Sequence, residues 1–259
     1  MVMIKIKIYY KYMIGRVGGK SKLKKKIISI MPQHKVYVEP FIGGGSVFFA
    51  KEPAELNIIN DKDKDIANIY GDMKAVGEKM INKSFQPDKD KFNRFLKQTS
   101  FKNKEERLYR NLYLSRLSYN GSRKSYIGDT SAKNIRFSRE GAGKNLKTTK
   151  WKDFLNNNNV RIFNTDFKNI IKKYDSPDTL FYLDPPYSKS ETDYDVGGVN
   201  PQDVYNSLQN IKGKFILSYD HSPLIKKIFN KYKFRTVNTS YKMSGQRQEG
   251  IKEYLITNF

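Results

Sequence analysis

The fold is decided by the stretch Val36-Tyr37-Val38-Glu39-Pro40-Phe41-Ile42-Gly43-Gly44-Gly45-Ser46. Its first three residues are apolar and predict a buried strand, and the three glycines predict a tight turn. The next residues, 46–51, are expected to begin a helix. A glycine-rich turn after the first strand of an open α/β sheet is typical of a site where backbone approaches a nucleotide-like ligand. Phe48 stands where a dinucleotide fingerprint has its third glycine, so the turn indicates a ligand without a pyrophosphate.

Working outward, apolar runs alternate with helical patterns on both sides of this stretch. This alternation predicts an α/β fold with a parallel sheet. The predicted strands are 36–38, 56–59, 160–163, 180–183 and 215–218, with two late strands at 234–237 and 253–258. Helical patterns occupy about 23–31, 65–83, 167–174 and 223–231.

The middle of the chain breaks this pattern. Helical spacing of Leu108, Leu112 and Leu117 precedes a turn at Asn120-Gly121, and the chain is then polar and basic up to Lys150. Residues 101–152 contain 14 Lys and Arg against 4 Asp and Glu. We therefore expect an insert that is mainly helical and contains a hairpin or long loop. The predicted division is 1–83 and 151–259 for the two parts of the α/β domain and 84–150 for the insert.

Composition narrows the function further. The chain carries 49 Lys and Arg against 26 Asp and Glu, a net charge of +23, which favours a polyanion such as nucleic acid as partner. Bias toward Lys in an AT-rich genome is the alternative reading of that charge. With no cysteine, a cytosine C5 methyltransferase and a zinc deaminase are both excluded, and no metal is expected. No apolar run approaches the ~20 residues of a membrane span, so the predicted location is the cytoplasm, or the host cytoplasm for a phage protein.

Asp184-Pro185-Pro186-Tyr187 follows a predicted strand and holds the candidate catalytic groups. The amine of adenine is conjugated with its ring and is a poor nucleophile. A carboxylate and a fixed backbone carbonyl, from Asp184 and Pro185, accept from its two N–H bonds and favour its lone pair. The two proline rings stiffen the turn, and Tyr187 offers a face on which a flipped base stacks.

Two more acidic residues follow predicted strands and are candidates for cofactor binding. Asp61 lies 22 residues after Glu39, where an acid binds the ribose hydroxyls of an adenosine cofactor. Asp166 is a candidate acceptor for the adenine amine of the cofactor, with Phe167 against its ring. Both acids are also ordinary helix N-caps by residue type. S-adenosylmethionine, which has no pyrophosphate, suits a turn with glycines at 43 and 45.

Taken together, four motifs resemble the Dam family of DNA adenine-N6 methyltransferases. They are Gly-Gly-Lys-Ser-Lys-Leu at 18–23, Glu-Pro-Phe-Ile-Gly-Gly-Gly-Ser-Val-Phe at 39–48, Asn-Asp at 60–61 and Asp-Pro-Pro-Tyr at 184–187. Cofactor motif, recognition insert and catalytic motif follow each other as in the alpha group of amino-methyltransferases. The resemblance implies a Rossmann-like class I methyltransferase sheet and S-adenosylmethionine as methyl donor.

By this resemblance, the cofactor is bordered by Arg16, Lys20, Glu39, Phe41, Gly43, Gly45, Asp61, Asp166, Phe167 and Asp184. Arg16 stands where the family usually has an aromatic residue. The family usually begins close to the Gly-Lys motif, so residues 1–12 are interpreted as an extension, with Met13 as a candidate start. Asn120-Gly121 resembles the start of the family's DNA-reading hairpin, although residues 122–150 match the family poorly. The candidate DNA contacts are Arg116, Asn120, Arg123, Lys124, Arg136 and Arg139.

The predicted activity is transfer of a methyl group from S-adenosylmethionine to adenine N6 in DNA. Double-stranded DNA with a flipped adenine is the expected substrate, and a monomer or weak dimer is the expected state. The same fold acting on cytosine N4, on RNA or on a protein glutamine amide is one alternative. A DNA-binding protein with a vestigial methyltransferase fold is the other. The recognition sequence and the biological role stay open at this stage.

Overall fold

The computed structural model describes residues 14, 19–81, 83–118, 121–127, 135–138, 146–187, 198–243 and 246–259. For 135–138, 146–149, 240–243 and 246–249 only the backbone is described. The strands are β1 Val36–Glu39, β2 Leu56–Asn60, β3 Ser84–Phe85, β4 Ile135–Ser138, β5 Leu146–Lys147, β6 Val160–Phe163, β7 Thr179–Leu183, β8 Lys214–Asp220, β9 Lys233–Met243 and β10 Gln246–Thr257. The helices are α1 Lys24–Ser29, α2 Lys64–Val76, α3 Lys89–Lys97, α4 Lys104–Arg116, α5 Thr148–Asn157, α6 Phe167–Tyr174, α7 Pro201–Leu208 and α8 Pro223–Ile228, with a 3₁₀ helix at Gly77–Met80.

Seven strands form one sheet in the order β6-β2-β1-β7-β8-β10-β9. The first five strands of this order are parallel, and β10 lies antiparallel between β8 and β9. The predicted Rossmann-like α/β sheet is thereby confirmed, and all seven predicted strands are present in it. Strand order reverses between β1 and β7, and ligands of such sheets bind at the carboxyl ends of the strands beside that reversal.

Both faces of the sheet are covered, which explains why its strands are continuous apolar runs. Along β7 the side chains of Leu180 and Tyr182 pack into one buried cluster, and those of Phe181 and Leu183 pack into another. The first cluster lies under α1, α2, α4 and α5, and the second lies under α6, α7 and α8. Period-two alternation therefore directs alternate residues of one strand to opposite helical layers.

Two local predictions were wrong. Residues 46–51 form consecutive turns rather than the start of a helix, with hydrogen bonds that mix three- and four-residue spacings. Val47, Phe48 and Phe49 are all buried, so packing on every side holds this segment, and Pro53 prevents its extension. Residues 148–157, where the sequence analysis predicted no helix, form α5.

The helices of the predicted insert pack on the sheet domain. Leu108 and Leu112 of α4 are fully buried in the same cluster as Ile69 and Met73 of α2. The short strand β3 pairs with β4, and β4 pairs with β5. The division at 83/84 and 150/151 stays a prediction, and its second boundary falls within α5.

A buried ion pair joins α4 to α2. Arg107 donates from Nε and Nη2 to the two carboxylate oxygens of Asp72, both at 2.7 Å. The Asp72 side chain is 2% exposed, and the Asp72 carboxylate raises the pKa of the Arg107 guanidinium. Bidentate geometry of this kind is the strong form of an Arg–carboxylate contact.

Replacing Arg107 by Met is expected to lower the free energy of unfolding by about 3 kcal/mol, because a buried carboxylate loses its counter-charge. Chemical denaturation monitored by circular dichroism measures the change. Arg94→Met is the matched control, since Arg94 lies on the exposed face of α3. Equal stability of the two variants would contradict a stabilising role for the pair.

Candidate active site

Loops after three neighbouring strands meet at the carboxyl edge of the sheet. Asn60 at the end of β2 joins them: its Nδ2 donates to the carbonyls of Pro40 and Thr165, and its Oδ1 accepts from the Thr165 amide. The Asn60 side chain is buried, so these bonds hold the loops after β1 and β6 in fixed positions. The site is therefore built on rigid backbone.

The glycine turn after β1 has backbone angles that favour glycine. Gly43 has φ +45° and Gly45 has φ +70°. The Gly43 amide donates to Oδ2 of Asp61 at 3.0 Å, and its carbonyl accepts from the hydroxyl of Tyr70 at 2.8 Å. Asp61 also accepts from the Asp63 amide through Oδ1, while the N-cap of α2 is Asp63 itself. Asp61 thus holds the turn and is not the helix cap.

A cavity opens at this edge, beside the point where the strand order reverses. It brings together seven of the ten residues predicted to border the cofactor and one proline of the catalytic motif. They are Lys20, Glu39, Phe41, Gly43, Gly45, Asp61, Asp184 and Pro186. Its lining also includes Ile42, Ser46, Val47 and Tyr182, which the sequence analysis did not select.

Asp184 stands at this cavity directly after β7, with its side chain 21% exposed. Lys20 places Nζ 2.9 Å from Asp184 Oδ1, and the Tyr187 hydroxyl donates to the same oxygen at 3.3 Å. Both polar contacts of the Asp184 carboxylate with described residues fall on Oδ1. Oδ2 is thereby left available to a ligand.

The Tyr187 ring makes two described contacts. It stacks on Tyr219 of β8 with ring centroids 5.3 Å apart, and the Lys20 ammonium lies 4.7 Å from its centroid. Pro185 before it is buried and Pro186 is exposed. The turn thus presents a fixed aromatic ring next to the Asp184 carboxylate.

Three carboxyl groups lie close together at this site, and Lys20 pairs with two of them, those of Asp184 and Glu253. Burial raises the pKa of Glu39 to about 8, although Tyr37 donates to its Oε2 at 2.7 Å and opposes the rise. Burial likewise raises the pKa of Glu253 to about 7 and raises the pKa of Asp184, with Lys20 opposing both shifts. The site is therefore a desolvated cluster of acids, and such clusters are typical of functional sites.

Asp166 and Phe167 lie at the end of β6, next to the glycine turn. Asp166 caps α6 by accepting from the Lys168 amide, and it pairs with Lys62 at 3.4 Å. The Phe167 ring lies 5.1 Å from the ring of Phe41, which lines the cavity. Both readings of Asp166 made from the sequence, cap and ligand, are compatible with this position.

The structure describes the side chains of three of the six candidate DNA contacts. Arg123 is 13% exposed and pairs with Asp63 and Asp65 at the start of α2, so it faces the protein. Its expected contact with DNA therefore has no support in this arrangement, because its charge is already neutralised. Lys124 is exposed and Arg116 is half-buried. Arg16, Asn120 and Arg139 lie outside the described residues, as does the side chain of Arg136.

Sequence reasoning missed several side chains of this site. Glu253 of β10 is buried at 2% exposure and lies 3.6 Å from Lys20 Nζ. Tyr182 of β7 lines the cavity and exchanges a hydrogen bond with Ser218. Glu253 directly precedes the apolar run Tyr254-Leu255-Ile256, but no local pattern places it beside Lys20.

Comparison with known proteins identifies the class of this site. Residues 17–243 match the sequence model described as D12 class N6 adenine-specific DNA methyltransferase. The chain belongs to this family. The Type II methyltransferase M1.LlaDCHI of Lactococcus lactis subsp. cremoris is 29% identical over 277 residues, covering 93% of each chain.

Two further relatives extend this comparison. The Type II methyltransferase M.MjaIII of Methanocaldococcus jannaschii is 25% identical over 285 residues, with 93% of this chain and 96% of that protein covered. A DNA adenine methylase of Vibrio cholerae serotype O1 is 29% identical over 111 residues, or 40% of each chain.

Family membership confirms the predicted resemblance and activity. The D12 class methyltransferase is a DNA adenine-N6 methyltransferase, its methyl donor is S-adenosylmethionine, and its substrate is DNA. No described helix is long and apolar enough to cross a membrane.

Proposed function

We propose that this D12 class methyltransferase methylates N6 of an adenine flipped out of double-stranded DNA, with Asp184-Pro185-Pro186-Tyr187 as its catalytic motif. The observation that carries the proposal is the Asp184 carboxylate. It stands at the cavity with Oδ1 occupied by Lys20 and Tyr187 and with Oδ2 available. A target amine donates one N–H to Oδ2 and the other to the Pro185 carbonyl.

The rest of the motif supports the base. Tyr187, braced by Tyr219, gives the flipped adenine a flat surface to stack on, so the ring and its amine are fixed together. Catalysis is then mainly positioning, because the weak nucleophile is held with its lone pair toward the methyl donor. Transfer would break the S–CH₃ bond of the donor as the N–C bond forms, and the positively charged amine nitrogen would then release one proton to solvent.

The residues of the cavity fit S-adenosylmethionine. That cofactor supplies an electrophilic methyl group on a sulfonium cation and carries an ammonium, and an acid-rich cavity suits these positive charges. Gly43, Gly44 and Gly45 line the cavity without side chains, which allows a ligand to approach their backbone closely. We assign the ribose of the cofactor to Asp61 and its positively charged end to Glu39. Its adenine is assigned to Phe41, Asp166 and Phe167, and Lys20 borders the bound cofactor.

The charge of the chain supports a duplex substrate. A net charge of +23 matches a phosphate backbone, and residues 101–152, with 14 Lys and Arg against 4 Asp and Glu, carry a large share of it. Besides Arg123, Arg116 and Lys124 are the candidate contacts whose side chains the structure describes. The names of the first two relatives favour a place in a Type II restriction-modification system. We further propose that the protein is cytoplasmic and acts as a monomer or weak dimer.

The proposal is tested by transfer of a labelled methyl group onto unmethylated DNA, followed by mapping of the modified base. We expect label on adenine N6, within a fixed sequence and on duplex DNA in preference to single strands. Label on cytosine N4, or transfer to RNA only, would contradict it. Substrate that has been methylated to completion is the matched control and is expected to accept no label.

A further inference from the structure

The buried carboxylate of Glu253 is not used by the catalytic motif as described above. Glu253 lies on β10 opposite Asp220, the last residue of β8, and therefore at the same sheet edge as Asp184. Its neighbour Leu255 packs with Tyr182, whereas Tyr254 packs into the opposite cluster. Alternation thus directs Glu253 to the face of the sheet that carries Lys20 and Tyr182.

Lys20 lies between the two acids. Its Nζ is 2.9 Å from Asp184 Oδ1 and 3.6 Å from Glu253 Oε2, and the Lys20 and Glu253 side chains are 3% and 2% exposed. A lysine ammonium has three donors and four flexible bonds, so one carboxylate alone does not fix its direction. A second carboxylate within ion-pair distance restricts that direction.

We propose that Glu253 is a positioning residue for methyl transfer: it holds the Lys20 ammonium on the Oδ1 side of Asp184, so that Oδ2 is kept for the target amine. This inference rests on the proposed role of Asp184. Without Glu253, Lys20 loses one of its two described carboxylate contacts and moves toward a bridging position over both oxygens of Asp184. The amine then competes with an ammonium for its acceptor.

The charge state of Glu253 makes this arrangement sensitive to pH. Lys20, Asp184 and Asp220 are the charged groups that face it, and Tyr182 and Tyr187 are the neutral titratable ones. Its pKa of about 7 is raised mainly by burial. As pH falls through 7 the carboxyl becomes neutral and its hold on Lys20 weakens, so the wild type comes to resemble a variant without the charge.

Glu253→Gln keeps the shape of the side chain and removes its charge. We expect the single-turnover rate of methyl transfer to fall roughly 10- to 100-fold, the range caused by a small misplacement of reacting groups. Binding of S-adenosylhomocysteine, measured by calorimetry, and the thermal unfolding midpoint are expected to stay close to wild type. The wild-type rate should decline as pH falls through about 7, while the variant stays at its low plateau.

Glu55→Gln is the matched control, since Glu55 is exposed before β2, at the opposite edge of the sheet. A Glu253→Gln enzyme with wild-type rate and pH profile would overturn the proposal, as would a lowered rate that keeps the wild-type pH profile. If the variant unfolds, the pH profile of the wild type decides: a rate that does not change across this interval overturns the proposal. Failure of the proposed function is separate, because the wild type would then put no label on adenine.

Discussion

Asp184→Ala is expected to lower the rate of methyl transfer by roughly 10³-fold or more, the size of effect seen when a preorganised hydrogen-bonding group is removed from an active site. In the proposed mechanism, Oδ2 of Asp184 accepts a hydrogen bond from the target amine. Without it, the amine is held by the Pro185 carbonyl alone and its lone pair is no longer directed at the methyl donor. Single-turnover transfer to an oligonucleotide containing one site measures the loss.

The same variant should keep its fold and its affinity for DNA, because Glu253 still pairs with Lys20. Asp184→Asn is the sharper companion, since it keeps the shape and replaces an acceptor by an amide. Asp178→Ala is the matched control, because its carboxylate is 64% exposed and pairs only with Lys35 among the ion pairs of the described residues. A rate of methyl transfer by Asp184→Ala within tenfold of the wild-type rate would contradict the proposed role of Asp184 in holding the target amine.

Most of the sheet was predictable because its signals are local. β7 is a five-residue, fully buried run that is followed by an acid and two prolines, and β1 is followed by a glycine turn. Such short patterns are enough to predict that each segment is a strand and where it ends. The prediction failed at residues 46–51, where tertiary packing outweighs helical propensity. It also failed at α5, although Trp151, Phe154 and Leu155 have the spacing of a buried helical face.

The site was predictable where its residues follow strands and unpredictable where distant charges meet. Asp61 and Asp184 follow β2 and β7, and the carboxyl ends of parallel strands share one edge. The pairing of Arg123 with Asp63 joins residues 60 apart in sequence, and no local pattern distinguishes it from a solvated basic loop. Glu253 belongs to an antiparallel strand, whose place beside β8 depends on sheet order.

The glycine turn offers the other large effect, and its cause is steric. Gly45 has φ +70°, and a Cβ there would lie 2.8 Å from the Tyr70 hydroxyl and 2.9 Å from the Phe49 ring. Both neighbours are fully buried, and Tyr70 also donates to the Gly43 carbonyl. A methyl group at this position therefore strains the backbone, and it pushes on a side chain that holds the cavity wall.

We expect Gly45→Ala to lower the free energy of unfolding by about 2–5 kcal/mol, from left-handed strain together with overpacking. It should also abolish detectable binding of S-adenosylhomocysteine, because displacement of Tyr70 also displaces the glycine turn that lines the cavity. Gly71→Ala is the matched control: a Cβ there meets no atom within 4 Å inside α2, so it should stabilise the chain by roughly 0.5–1 kcal/mol. If the steric argument holds, thermal denaturation gives a lower unfolding midpoint for Gly45→Ala and a higher one for Gly71→Ala. Calorimetry then detects ligand binding by Gly71→Ala and none by Gly45→Ala. A Gly45→Ala protein that is as stable as wild type and binds the ligand normally would show that the turn does not form the cofactor site.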